Sequence, residues 1–287
     1  FFLFQFQQWG RWQFFQYPFL FLTVFPIYFY SLMSWKIAPL NGFIFSDGSE
    51  IASAVISGEL TFDMQKHILY LPVMRLIFRL FHSFQPELIA LTSASATISA
   101  LNCLAAYVFF SLLFRDRKTA ILCFILYSLS FAIWAYSSVY ETFILSSLTV
   151  NLFLIILLGI NVESYWYKHF AVGLAVAIAG VAHPPLLALY GLYAAKLLLK
   201  KIHLRRAFYF LFTCFLVVVI MYLLLTSVIS YFYGKSFSFD EFFAFNKEVV
   251  GNYASISNFS WDNIGNVIIA QFYNAFIGRP VWLGWDK

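Results

Sequence analysis

Five of the thirteen acidic residues fall between Asp47 and Glu87, in a chain that is otherwise strongly apolar. A charge held beside a bilayer is costly unless it faces water or a partner, so the cluster is a candidate site. Asp47 and Glu50 stand three apart, and a helix beginning near Asp47 carries both carboxylates on one face. His67 and Tyr70-Leu71-Pro72 follow, and then Arg75 and Arg79, whose four-residue spacing also places them on one helical face. A carboxylate with its pKa raised by apolar surroundings can take the proton of an attacking hydroxyl, while imidazole and guanidinium groups stabilise a departing anion. Plainer readings stand beside this one. An Asp N-cap with a first-turn Glu is a frequent helix start, interfacial arginines snorkel to water, and a charged stretch between two spans can be a solvated loop.

The elements that must position these groups are membrane spans. Of the 287 residues 62% are hydrophobic and only 11% charged, with a mean hydropathy of +0.80, which excludes an ordinary soluble domain. Residues 1–17 are aromatic and glutamine-rich and lack the pattern of a signal peptide, so they read as an interfacial helix or a partial leading span. Apolar runs then cover 18–35, 88–114, 119–136, 142–160, 170–182, 186–199 and 207–231. The 88–114 run opens with the small-residue stretch TSASATISALNCLAA, the composition of a packed helix interface. His183-Pro184-Pro185 breaks the fifth run from the sixth.

The basic residues orient this layout. With the N-terminus inside, segments 1–17, 115–118, 161–169 and 196–206 hold ten of the eighteen Lys and Arg but only two of the thirteen acids. Asp47, Glu50, His67, Glu141 and His183 then share the external side with everything after residue 231. The net charge of +5 is therefore read as membrane orientation, with no nucleic-acid partner expected.

The expected fold is an all-α polytopic membrane protein of about seven spans, with interfacial helices in the first external loop, 38–87. Residues 1–231 form the transmembrane module, and 232–287 an external or interfacial segment that reads as the start of a truncated region, since the chain begins without Met and ends just after Trp282-Leu-Gly-Trp285. Cys103, Cys123 and Cys214 lie inside apolar runs and read as small core residues. No metal or phosphate-loop motif and no internal repeat is found.

The pattern Asp47-Gly-Ser-Glu50, an Ala-rich turn, Gly58, His67 and Tyr70-Leu-Pro72 resembles the first external loop of the GT-C glycosyltransferases, closest to the protein O-mannosyltransferase-like branch. Two departures are that no Pro follows His67 and that Gly48-Ser49 inverts the usual order. The likeness continues at Ser138-Val-Tyr140-Glu141-Thr, at Gly173-Leu-Ala-Val-Ala and at Ala182-His183-Pro-Pro-Leu-Leu, and so extends from residue 43 to about 195. It implies an inverting transfer of a sugar from a polyprenyl-phosphate donor to an acceptor protein, lipid or glycan on the external side. Asp47 would act as general base with Glu50 beside it. His67, Tyr70, Arg75, Arg79, Glu141 and His183 would bind donor phosphate, sugar or acceptor. No cofactor is expected in this branch, although some GT-C enzymes hold a divalent ion at their external carboxylates. The membrane would be a bacterial inner membrane or that of the ER. From another class, a transporter or a non-catalytic subunit of a membrane complex would account for the aromatic excess of 22% through lipid and partner contact.

Overall fold

A computed structural model describes residues 11–37, 47–58, 68–114, 116–130, 133, 143–160, 166–199 and 204–232. Among them every regular element is helical: α1 (Arg11–Ile37), α2 (Asp47–Ser57), α3 (Tyr70–His82), α4 (Glu87–Leu113), α5 (Arg117–Leu129), α6 (Phe143–Leu158), α7 (Trp166–Ala182), the 3-10 turn Pro184–Ala188, α8 (Leu189–Leu199) and α9 (Leu204–Phe232). No strand occurs among the described residues.

Two of these helices are long and apolar enough to cross a membrane, Ile89–Leu113 within α4 and Arg205–Ile229 within α9. The stretches 17–30, 143–158, 166–182 and 184–199 are apolar but shorter. The expected run 119–136 is helical to Leu129, where Ser130 turns extended, and the expected run 186–199 begins instead with the 3-10 turn. At the N-terminal end α1 runs without a break from Arg11, so residues 11–17 belong to the same helix as 18–35. Pro18 and Pro26 lie inside it.

α4 is the hub, in contact with α1, α2, α3, α5 and α6. Its Ala and Ser positions are the reason: Ala90, Ser93, Ala94, Ser95, Ala96, Ser99 and Ala100 are all buried, so neighbouring backbones come close. Hydroxyls in this apolar setting bond back along the helix, Thr97 Oγ1 donating to the Ser93 carbonyl at 2.7 Å and Ser99 Oγ to Ser95 at 3.0 Å. A second closely packed pair is α7 with α9, which approach each other at Gly173. A β-carbon there would stand 2.8 Å from Val217 Cβ and 3.0 Å from the Cys214 carbonyl oxygen, which as backbone cannot swing aside. Gly173→Ala is therefore expected to destabilise the fold by about 1–3 kcal/mol, read as a lower unfolding midpoint of the purified protein. An unchanged midpoint would mean that α7 and α9 are looser than described.

Asp116 starts α5. Its carboxylate accepts from the Thr119 hydroxyl (2.7 Å) and from the Thr119 and Lys118 amides (2.9 and 3.3 Å), an N-cap that satisfies donors the first helical turn leaves open. The Thr119 hydroxyl first, then those amides, holds the carboxyl below its ordinary range. The basic segment 115–118 is thus also a helix boundary.

Candidate functional site

α3 forms because its apolar residues recur at helical spacing. Tyr70, Met74 and Phe78 fall on one side and, with Leu71, are buried in a core cluster that also holds Ala54 and Val55 of α2, Leu91, Ala94 and Ile98 of α4, and Ile144 and Leu145 of α6. The opposite side, with Leu76, Arg79 and Leu80, is exposed. Within the stretch 38–87, where interfacial helices are expected, the described residues form the two helices α2 and α3, and α3 is sunk along one side into the bundle.

The turn after α7 is fixed by its two prolines. Pro184 has no amide hydrogen to extend α7 and disfavours helical backbone at the residue before it, and His183 accordingly sits extended at φ −159° and ψ 110°. Its amide still donates to the Ala179 carbonyl at 2.8 Å, and its own carbonyl accepts from Leu186 at 2.9 Å. Burial pushes the half-buried imidazole below its ordinary pKa range, so His183 is neutral at pH 7 and offers one donor and one acceptor.

Two contacts tie this turn to the loop and to α6. The Leu69 amide, just before α3, donates to the Val181 carbonyl at 3.4 Å. The His183 ring meets Phe143 edge-on, with centroids 5.5 Å apart. Ile68, Leu69 and Leu187 pack on a core cluster formed by Ala177, Val181, Tyr222 and Ile229, which brings α9 to the same end. The starts of α3 and α6, the end of α7 and the last third of α9 therefore share one end of the bundle. Tyr70 and His183 are both placed there, and Glu141 precedes Phe143 by two residues.

The arginines diverge. Arg75 is turned toward α2, its Nη1 donating to the Gly58 carbonyl at 3.1 Å and its Nη2 to Ser57 at 3.3 Å. Arg79, one turn further along the same face, is exposed. α2 does begin at Asp47, so the pair Asp47 and Glu50 opens a helix, as both readings of it required. The side chains of Asp47 and Glu50, and the whole of His67, Glu141 and the 233–287 segment, lie outside the described residues. Among the described residues no three His, Cys, Asp or Glu come together to hold a metal ion.

One polar cluster was not anticipated. Halfway along α4 and α6, Asn151 Nδ2 donates to Asn102 Oδ1 and to the Tyr127 hydroxyl, both at 2.9 Å. Asn102 Nδ2 donates to the same hydroxyl at 3.1 Å, and Ser147 Oγ lies 2.8 Å from it. Beside it, Tyr28 Oη donates to the Ser128 carbonyl at 3.0 Å, within 3.3 Å of Cys103 Sγ. The available signal was a single Asn near the centre of each of two apolar runs, where an amide is costly without partners. The internal bonding makes this cluster a tie between helices α4, α5 and α6. No protein-family model, curated protein or solved structure matches the chain.

Proposed function

We propose that the chain is a multi-pass membrane glycosyltransferase that moves a sugar from a polyprenyl-phosphate carrier to an acceptor protein, lipid or glycan on the external side of a membrane. The observation that supports it most is the gathering of the α3 start, the His183 turn and the α6 start at one end of the bundle. These are the segments that the distribution of Lys and Arg independently assigns to the external side. In this reading Asp47 deprotonates the acceptor hydroxyl and Glu50 and Glu141 orient the acceptor. His67, Tyr70, Arg79 and the neutral His183 lie toward sugar and phosphate, and the carrier tail lies along the apolar side of the same end.

A second reading, an integral non-catalytic subunit, is favoured by α9, whose Phe208, Phe212, Phe215 and Ile220 are exposed and could meet a partner helix as well as lipid. The two readings differ over the carrier. A polyprenyl phosphate bearing a photoreactive group near the phosphate, in vesicles with the protein, is expected to label peptides from α3 and from 181–187, with unlabelled polyprenyl phosphate competing. Labelling spread evenly along α9 and indifferent to competitor would favour the subunit.

A further inference from the structure

We propose that Arg75 is a clamp that fixes the direction of α2, and that Gly58 is the socket built to receive it. α2 ends as a left-handed C-cap: Gly58 has φ +80°, and its amide donates to the Ala54 carbonyl at 2.8 Å. That closing turn satisfies one carbonyl and leaves those of Ser57 and Gly58 facing outward. The Arg75 guanidinium spans both, one nitrogen to each, at 3.1 and 3.3 Å. A planar fork suits two adjacent carbonyls, and a fixed positive charge suits the negative end of a helix dipole.

The socket is as specific as the fork. A β-carbon at Gly58 would fall 1.6 Å from Arg75 Nη1 and 1.8 Å from its Cζ, so any side chain there expels the guanidinium. The left-handed backbone independently favours glycine. Two features of one residue, conformation and emptiness, thus serve the same contact, which joins positions seventeen apart in sequence.

The consequence lies at the other end of the helix. Ala54 and Val55 are packed in the α3 core cluster, so the C-terminal half of α2 is held. From the clamped end at Ser57 to Asp47 the helix extends about 15 Å. A tilt of about ten degrees about the clamp moves the Asp47 backbone by about 2–3 Å, and misplacement of about 1 Å at a reacting group can cost on the order of a hundredfold in rate. Arg75 is on this account a positioning residue. Its effect on catalysis rests on the glycosyltransferase reading, whereas the clamp itself does not.

The test uses the full chain in lipid nanodiscs, with spin labels on unnatural amino acids at the exposed positions 53 and 80, one on α2 and one on α3. The wild type is expected to give one narrow distance distribution. Gly58→Ala and Arg75→Gln should each broaden or shift it in the same way, the double variant should add nothing further, and Arg75→Lys should restore it in part. Helix content by circular dichroism should stay constant. A wild-type distribution in Gly58→Ala, or additive effects in the double variant, would overturn the clamp. In a transfer assay, Gly58→Ala and Arg75→Gln should both lower kcat by about ten- to a hundredfold with little change in the donor KM. A raised donor KM confined to Arg75→Gln would make Arg75 a phosphate ligand instead. If the wild type transfers no sugar, the functional reading falls while the distance result still decides the clamp.

Discussion

Asp47→Asn is expected to lower sugar transfer by on the order of a hundred- to ten-thousandfold, the range lost when a general base is removed. The substitution keeps the shape and hydrogen-bonding reach of the side chain at the first residue of α2 but removes its ability to take a proton. Carrier binding should survive, because the groups assigned to sugar and phosphate, His67, Tyr70, Arg79 and His183, lie on other segments. The measurement is a comparison of kcat and donor KM between the variant and wild type. Loss confined to kcat supports proton abstraction, whereas transfer at the wild-type rate removes Asp47 from that role.

Tyr127→Ala is expected to cost on the order of 2–4 kcal/mol of stability, because it removes a half-buried ring together with a hydroxyl that three polar side chains meet. Tyr127 is where three helices meet. Its hydroxyl is within hydrogen-bond distance of Asn102 on α4 and of Ser147 and Asn151 on α6, and its ring packs edge-on against Phe110 at 6.1 Å. Tyr127→Phe separates the two contributions, keeping the ring and leaving the amides short of a partner, at a cost of about 1–3 kcal/mol. Unfolding of the purified protein followed by circular dichroism would measure both. If the two variants cost the same, packing of the ring contributes little, and if neither is destabilised the network does not tie the helices.

Much of the architecture was legible because it is local. The spacing of Tyr70, Met74 and Phe78 marks a one-sided helix, the double proline after His183 dictates a break, and the small residues of α4 announce close packing. Features that depend on distant segments meeting were not legible. Nothing near Arg75 in sequence shows that its fork closes on the end of α2, and nothing near Asn102 shows that Asn151 lies opposite, since each pairing follows from how whole helices dock. Phenylalanine-rich runs such as 11–37 also hide their ends, because outward-facing and core-facing positions are both apolar and the amphipathic signal vanishes. Pro18 then looks like a boundary although the helix passes through it, as it does through Pro26.

Direct transfer is the measurement that decides the central claim. The full chain in sealed proteoliposomes would be given radiolabelled polyprenyl-phosphate sugars one at a time, with hydroxyl-bearing peptide, lipid and glycan acceptors on the side that the basic residues define as external. The account predicts that one donor loses its label to an acceptor, with free polyprenyl phosphate released in equal amount and no transfer when the acceptor is confined to the opposite side. A folded, membrane-inserted protein that leaves every donor intact would contradict it.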